Sequence, residues 1–96
     1  MILTTGPGVD GRTVREYLGV VFGHAAVLLG FGDIAGKADR RESRLQEIGI
    51  TALGRLEEAA LNLGADAVIA IGFDYQAMGD HPNLLTVSAS GTAVRL

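Results

Sequence analysis

Between Asp39 and Gly64 the chain carries its one stripe of apolar residues at a convincing helical period. Leu45, Ile48, Ala52, Leu56, Ala59 or Ala60, and Leu63 recur at steps of three and four, which places them along one side of an α-helix. Arg40, Arg41, Arg44, Glu47, Glu57 and Glu58 fall mainly outside the stripe, on a solvated face. Asp39, with Glu42 three residues on, is positioned to accept hydrogen bonds from the free amides of the first turn. Gly64 is positioned to end the helix in a left-handed conformation. Such a helix is about 36 Å long at 1.5 Å per residue, enough to lie across a small sheet. Gly49 and Gly54 interrupt it at about 1 kcal/mol each relative to alanine, a cost that suits either close approach by a neighbouring backbone or local flexibility.

A single helix covers a single face of a sheet, and this limits the rest of the chain. From Arg12 to about Leu29 the residues are β-branched or small and apolar, with Val14, Leu18, Val20 and Phe22 alternating against Tyr17, Val21, Ala25 and Val27. Both faces of that strand are therefore apolar. At 96 residues the chain makes one domain, residues 1–96, with one layer of helix on sheet. The second apolar face has no cover of its own, and exposed apolar surface of this kind marks an association site. Gly19 and Gly23 read as a bulge or bend, because an unbroken strand over this stretch would run to about 50 Å.

The other elements are shorter. Ile2 to Thr5 reads as a first strand before the turn cluster GPGVDG. Gly30 to Ala38, GFGDIAGKA, reads as a flexible connection whose glycines fit neither the dinucleotide fingerprint nor the phosphate-loop spacing. Asp66 to Tyr75 is the clearest strand, with Ala67, Ile69, Ile71, Phe73 and Tyr75 suited to the helix stripe. Met78 to Asn83 reads as a turn. Leu84 to Val94 returns with Leu85, Val87, Ala89, Gly91 and Ala93 on one face and Thr86, Ser88, Ser90 and Thr92 on the other. The fold class is α+β: a small two-layer subunit, one long helix on a sheet of three to four strands.

Charge and composition remove several functions. The net charge is −3, and no Lys/Arg cluster is interleaved with aromatics, which argues against a phosphate-neutralising nucleic-acid surface. The absence of cysteine removes disulfides and thiolate metal centres. The apolar run from Val14 carries Arg15, Glu16 and His24, which disqualifies it as a membrane span. The opening MILTTGPG has neither the positive start nor the apolar run of a secretion signal. The expectation is a cytoplasmic protein without nucleic-acid or membrane partners.

Two histidines and eleven carboxylates are the whole stock of acid/base groups and metal ligands. Glu16, His24, Asp74 and His81 are the candidate ligands for a divalent metal ion. Glu16 and His24 stand eight residues apart on one strand, about 26 Å, so they cannot share an ion within one chain. Any site must be assembled across strands or across subunits. No GxSxG elbow accompanies the serines and no catalytic set has motif support, so the reading is of a binding or scaffold protein rather than an enzyme.

The segments LGADAVIAIGFDY and LLTVSASGTAV, with RTVREYLGVVFGHAAV earlier in the chain, resemble the YbjQ family of small bacterial proteins, described as heavy-metal-binding domains. The resemblance spans nearly the whole chain and implies a compact subunit assembled into a homo-oligomeric ring, commonly a pentamer, in which sheets of neighbouring chains combine. It also implies binding of a metal ion or another small ligand, without defining the ligating residues. This chain departs from the family in a shorter segment from Leu29 to Ala38. The other reading is a structural oligomer that binds partner proteins and has no small-molecule chemistry.

Overall fold

A computed structural model describes residues 1–29, 38–78 and 81–96, without the side chains of residues 38–41, 78, 81 and 82. Its elements are β1 (Ile2–Leu3), β2 (Glu16–Leu28), α1 (Ala38–Asn62), β3 (Ala67–Met78) and β4 (His81–Arg95). They form one helix on a four-stranded mixed sheet of order β1-β3-β4-β2. β1 pairs parallel with β3, while β4 runs antiparallel between β3 and β2. The expected α+β architecture is present. The segment expected as a flexible connection, Gly30 to Ala38, lies outside the described residues except for Ala38.

The apolar stripe buries as its period requires. Ile48, Ala52, Leu56 and Ala60 are buried at steps of four and meet Val21 and Ala25 of β2 and Leu85, Val87, Ala89 and Ala93 of β4. Leu63 does not join them; it is 44% exposed, because the helix has already ended at Asn62. That end follows the Schellman pattern: Ala65 N–H donates to the Ala60 carbonyl at 3.1 Å and Gly64 N–H to that of Leu61 at 2.9 Å. Gly64 has φ of 77°, the left-handed value that this motif needs. Asp39 falls within the first turn, not before it, since the helix begins at Ala38.

The glycines redistribute the expected close contacts. Space around Gly54 is open, and at Gly49 a Cβ would lie 2.6 Å from the Tyr75 hydroxyl, a side chain rather than a backbone. The backbone approach occurs instead on the strand side, at Gly23, where a Cβ would run into the Ala52 carbonyl and the Leu56 amide of the helix. Gly23 therefore lets α1 sit on β2 at backbone distance and makes no bend. Gly19 does mark a bulge, with φ of 122° at the register shift between Tyr17 and Gly19.

Two bulges also reassign strand faces, because one extra residue swaps every later side chain to the opposite face. In β2 the bulge places Leu18 against the core beside Val21, and leaves Tyr17 69% exposed. In β3, Ala70 adopts φ of 54° at the register shift between Ile69 and Gly72. Val68 and Ile71 consequently share the helix-side core, whereas Ala67 and Ile69 join Val94 in a second small cluster with Val9, Val14 and Leu96. The expected single face Ala67-Ile69-Ile71-Phe73-Tyr75 is thus split at Ala70. β3 and β4 also run further than expected, to Met78 and from His81, so Met78 and 81–83, expected within a turn, belong to strands, while residues 79 and 80 lie outside the described residues.

The sheet outgrows its helix. α1 packs mainly on β2 and β4 and touches β3 little, leaving Gly72 to Ala77 exposed. The molecule measures 50 × 23 × 17 Å with a radius of gyration of 15.6 Å, against about 12.5 Å for a compact chain of this length.

Candidate functional site on the open face of the sheet

The face of the sheet turned away from α1 carries side chains that the helix leaves uncovered. Antiparallel register places them in rows across three strands. His24 of β2 and Asp74 of β3 both pair with Ser88 of β4, so the three residues form one row with serine in the middle. Phe22 and Gly72 flank Ser90 in the next row, and Ala26 and Gln76 flank Thr86 in the row beyond. The hydroxyl side of β4, with Thr86, Ser88, Ser90 and Thr92, lies on this face as its alternation requires.

Hydrogen bonds orient both ends of the central row. His24 Nδ1 lies 2.9 Å from Ser88 Oγ. Gln76 Nε2 donates to Asp74 Oδ2 at 3.2 Å. The His24 ring stacks against Phe22, with centroids 6.2 Å apart and planes 7° from parallel. Together Phe22, His24, Gly72, Asp74, Ser88 and Ser90 line a shallow groove of about 420 Å³ with Phe73 at its side. With strands 4.7–4.9 Å apart, His24 and Asp74 stand about 10 Å apart at Cα.

The four candidate ligands thus separate into a pair and two outliers. His24 and Asp74 share the open face, whereas Glu16 is ion-paired with Arg95 at 3.4 Å near the start of β2. The backbone of His81 begins β4, opposite Met78; its side chain lies outside the described residues. Among the described residues no three His, Cys, Asp or Glu side chains come together as a metal cage. Imidazole nitrogen and carboxylate oxygen suit a borderline divalent cation such as zinc, nickel or cobalt. With no cysteine in the chain, softer metals lack their preferred donor. Ser88 and Gln76 were missed as contributors: only cross-strand register reveals that Ser88 touches His24, whereas Gln76 lies two residues from Asp74 on the same strand face, where alternation alone could have found it.

Apolar side chains flank the polar row. Tyr17, Val20, Phe22 and Leu28 on β2 are 56–69% exposed. β2 is also an edge strand, and its outer side pairs with no strand among the described residues. One of its outward carbonyls, that of His24, accepts from Arg55 Nη1 at 2.5 Å. At the other edge the N-terminal segment covers only the first part of β3, through bonds such as Thr4 N–H to the Val68 carbonyl and Ala70 N–H to that of Gly6. From Gly72 onward β3 keeps β4 on its inner side but has no neighbouring strand on this outer side among the described residues.

Among the described residues, one helix on a four-stranded α+β sheet with unpaired edge on β2 and on the far half of β3, and a partly apolar open face, defines the class of protein. The chain belongs to the YbjQ family: the family model described as "Putative heavy-metal-binding" matches residues 1–96. A UPF0145 protein of Clostridium botulinum is 37% identical over 105 aligned positions, covering 98% of this chain and 97% of that protein. The same fold occurs in the crystal structure of a protein of unknown function from Pediococcus pentosaceus, assigned to the DUF74 family. The TM-score is 0.79 at 21% identity, over 100% of this chain and 97% of that one. Among the described residues no helix is long and apolar enough to cross a membrane.

Proposed function

We propose that this protein is the subunit of a homo-oligomeric ring, a pentamer by the family resemblance, that binds a divalent metal ion or another small ligand where subunits meet. The observation that carries this reading is the open sheet face: a polar row of His24, Ser88 and Asp74 set among exposed apolar side chains. Apolar surface of this extent on a chain that outgrows its own helix calls for a partner, and a second copy is the partner whose sheet edges match in kind. Two different edges, β2 and the far half of β3, make the contact heterologous, and a heterologous contact that closes produces a ring. His24 and Asp74 are the ligands proposed from the face itself. Glu16 and His81 are further donors that assembly would carry to the ends of the same junctions.

Metal binding to the folded state alone stabilises it by linkage. A cation at a hundredfold excess over its Kd adds about 2.7 kcal/mol, which for a domain of this size raises Tm by roughly 10 °C or more. Thermal unfolding of chelator-stripped protein, titrated with zinc, nickel and cobalt, is expected to show that rise for at least one of them. No shift with any of the three up to millimolar concentration contradicts the metal reading.

A further inference from the structure

We propose that the cation site is split between neighbouring subunits, with the imidazole of His24 from one copy and the carboxylate of Asp74 from the next, and with Ser88 as the residue that aims the histidine. The proposal rests on the oligomeric binding reading above and specifies its site. Its starting point is the hydrogen bond between His24 Nδ1 and Ser88 Oγ, 2.9 Å long. The two nitrogens of an imidazole point in divergent directions. With Nδ1 turned to Ser88 on β4, Nε2 is turned away from β4, and so away from Asp74 of the same chain, which lies on the far side of Ser88. The two ligands of one chain therefore do not close on one ion, in agreement with the absence of a metal cage among the described residues.

An imidazole ring held this way tilts Nε2 toward the side of β2 where the sheet ends, the side from which Arg55 reaches the His24 carbonyl. Another stretch of sheet edge without a neighbour among the described residues is the outer side of β3 from Gly72 onward, and Asp74 sits in it. Heterologous contact of the two edges brings the His24 of each copy beside the Asp74 of its neighbour. Hydrogen bonding leaves the right atoms available. When Ser88 Oγ accepts from Nδ1–H, the neutral ring carries its free lone pair on Nε2, as a metal ligand requires. Gln76 engages Asp74 Oδ2 and leaves Oδ1 open. The donor set is one nitrogen and one carboxylate oxygen per junction, completed by water, which selects a borderline divalent cation over a soft, thiophilic one.

Subunit mixing tests this arrangement. His24→Ala and Asp74→Ala chains are each expected to lose cobalt binding, read by its visible absorption and by calorimetry. Co-refolded in equal amounts they are expected to regain about a quarter of wild-type capacity, since random assembly pairs an intact His24 with an intact neighbouring Asp74 at one junction in four. Ser88→Ala is expected to weaken cobalt affinity about tenfold and Ser88→Thr to retain it. In wild type, long-range nitrogen NMR of the His24 ring should show the Nδ1–H tautomer, and in Ser88→Ala a mixture. Binding by wild type with no recovery on mixing, or with Ser88→Ala unchanged in affinity and tautomer, overturns the split site while leaving the binding reading intact. Failure of wild type to bind any of cobalt, zinc and nickel overturns the split site together with the metal reading.

Discussion

Replacing Gly23 with alanine is expected to destabilise the fold by about 3 kcal/mol, at the upper end of what overpacking costs in a filled core. A Cβ at this position would occupy the space of the Ala52 carbonyl and the Leu56 amide. These are helix backbone atoms in the middle of α1, so no rotamer change relieves the clash. The helix must lift from β2, and the contacts of Ala52 and Leu56, both fully buried, loosen with it. Gly54→Ala is the control: the same substitution in open space on the helix is expected to be neutral or to stabilise by up to about 1 kcal/mol. Urea unfolding of the two variants checks the pair. A loss below about 0.5 kcal/mol in Gly23→Ala would mean that α1 does not rest on β2 at this point.

Phe22→Glu acts on the opposite side of the same strand and should separate assembly from folding. Phe22 is 56% exposed, so a charge there is solvated in an isolated subunit and costs the subunit little. In the proposed ring, stripped of metal, the same carboxylate would be trapped in an apolar junction without a partner, at a cost of about 3 kcal/mol or more. That weakens each junction on the order of a hundredfold. Sedimentation of metal-free protein is expected to show folded monomer for Phe22→Glu at concentrations where wild type forms the proposed ring, with unchanged helical circular dichroism per residue. An intact ring would remove this face from the interface.

Much of the architecture was legible in the sequence because it depends on period. The helix followed from steps of three and four through Ile48, Ala52, Leu56 and Ala60, and β4 from strict alternation between Leu85 and Ala93. Period fails at bulges. Nothing in GADAVIAIG announces that Ala70 takes a positive φ, so the face swap between Ile69 and Ile71 was invisible, as was the swap that turns Leu18 toward the core. Gly23 was misread for a different reason: a glycine in a strand signals either a bend or a close neighbour, and only the docked helix decides which. The site was legible as a set of residue types. His24 and Asp74 stood out as polar groups within apolar strands, but their shared row depends on β4 lying between β2 and β3. Local spacing carries no information on that order, and Ser88 went unnoticed for the same reason; Gln76, two residues from Asp74 on one strand, was within reach of the period itself.

The central claim is that the open face and the two free edges exist to join copies of this chain. Native mass spectrometry of protein purified without chelator measures it directly, reporting subunit number and bound mass together. The expected species is a closed ring of five 10.0 kDa subunits, about 50 kDa, carrying additional mass in whole metal or ligand units. A bare ring would keep the assembly and move its purpose to scaffolding. A lone 10.0 kDa chain at micromolar concentration would contradict the account.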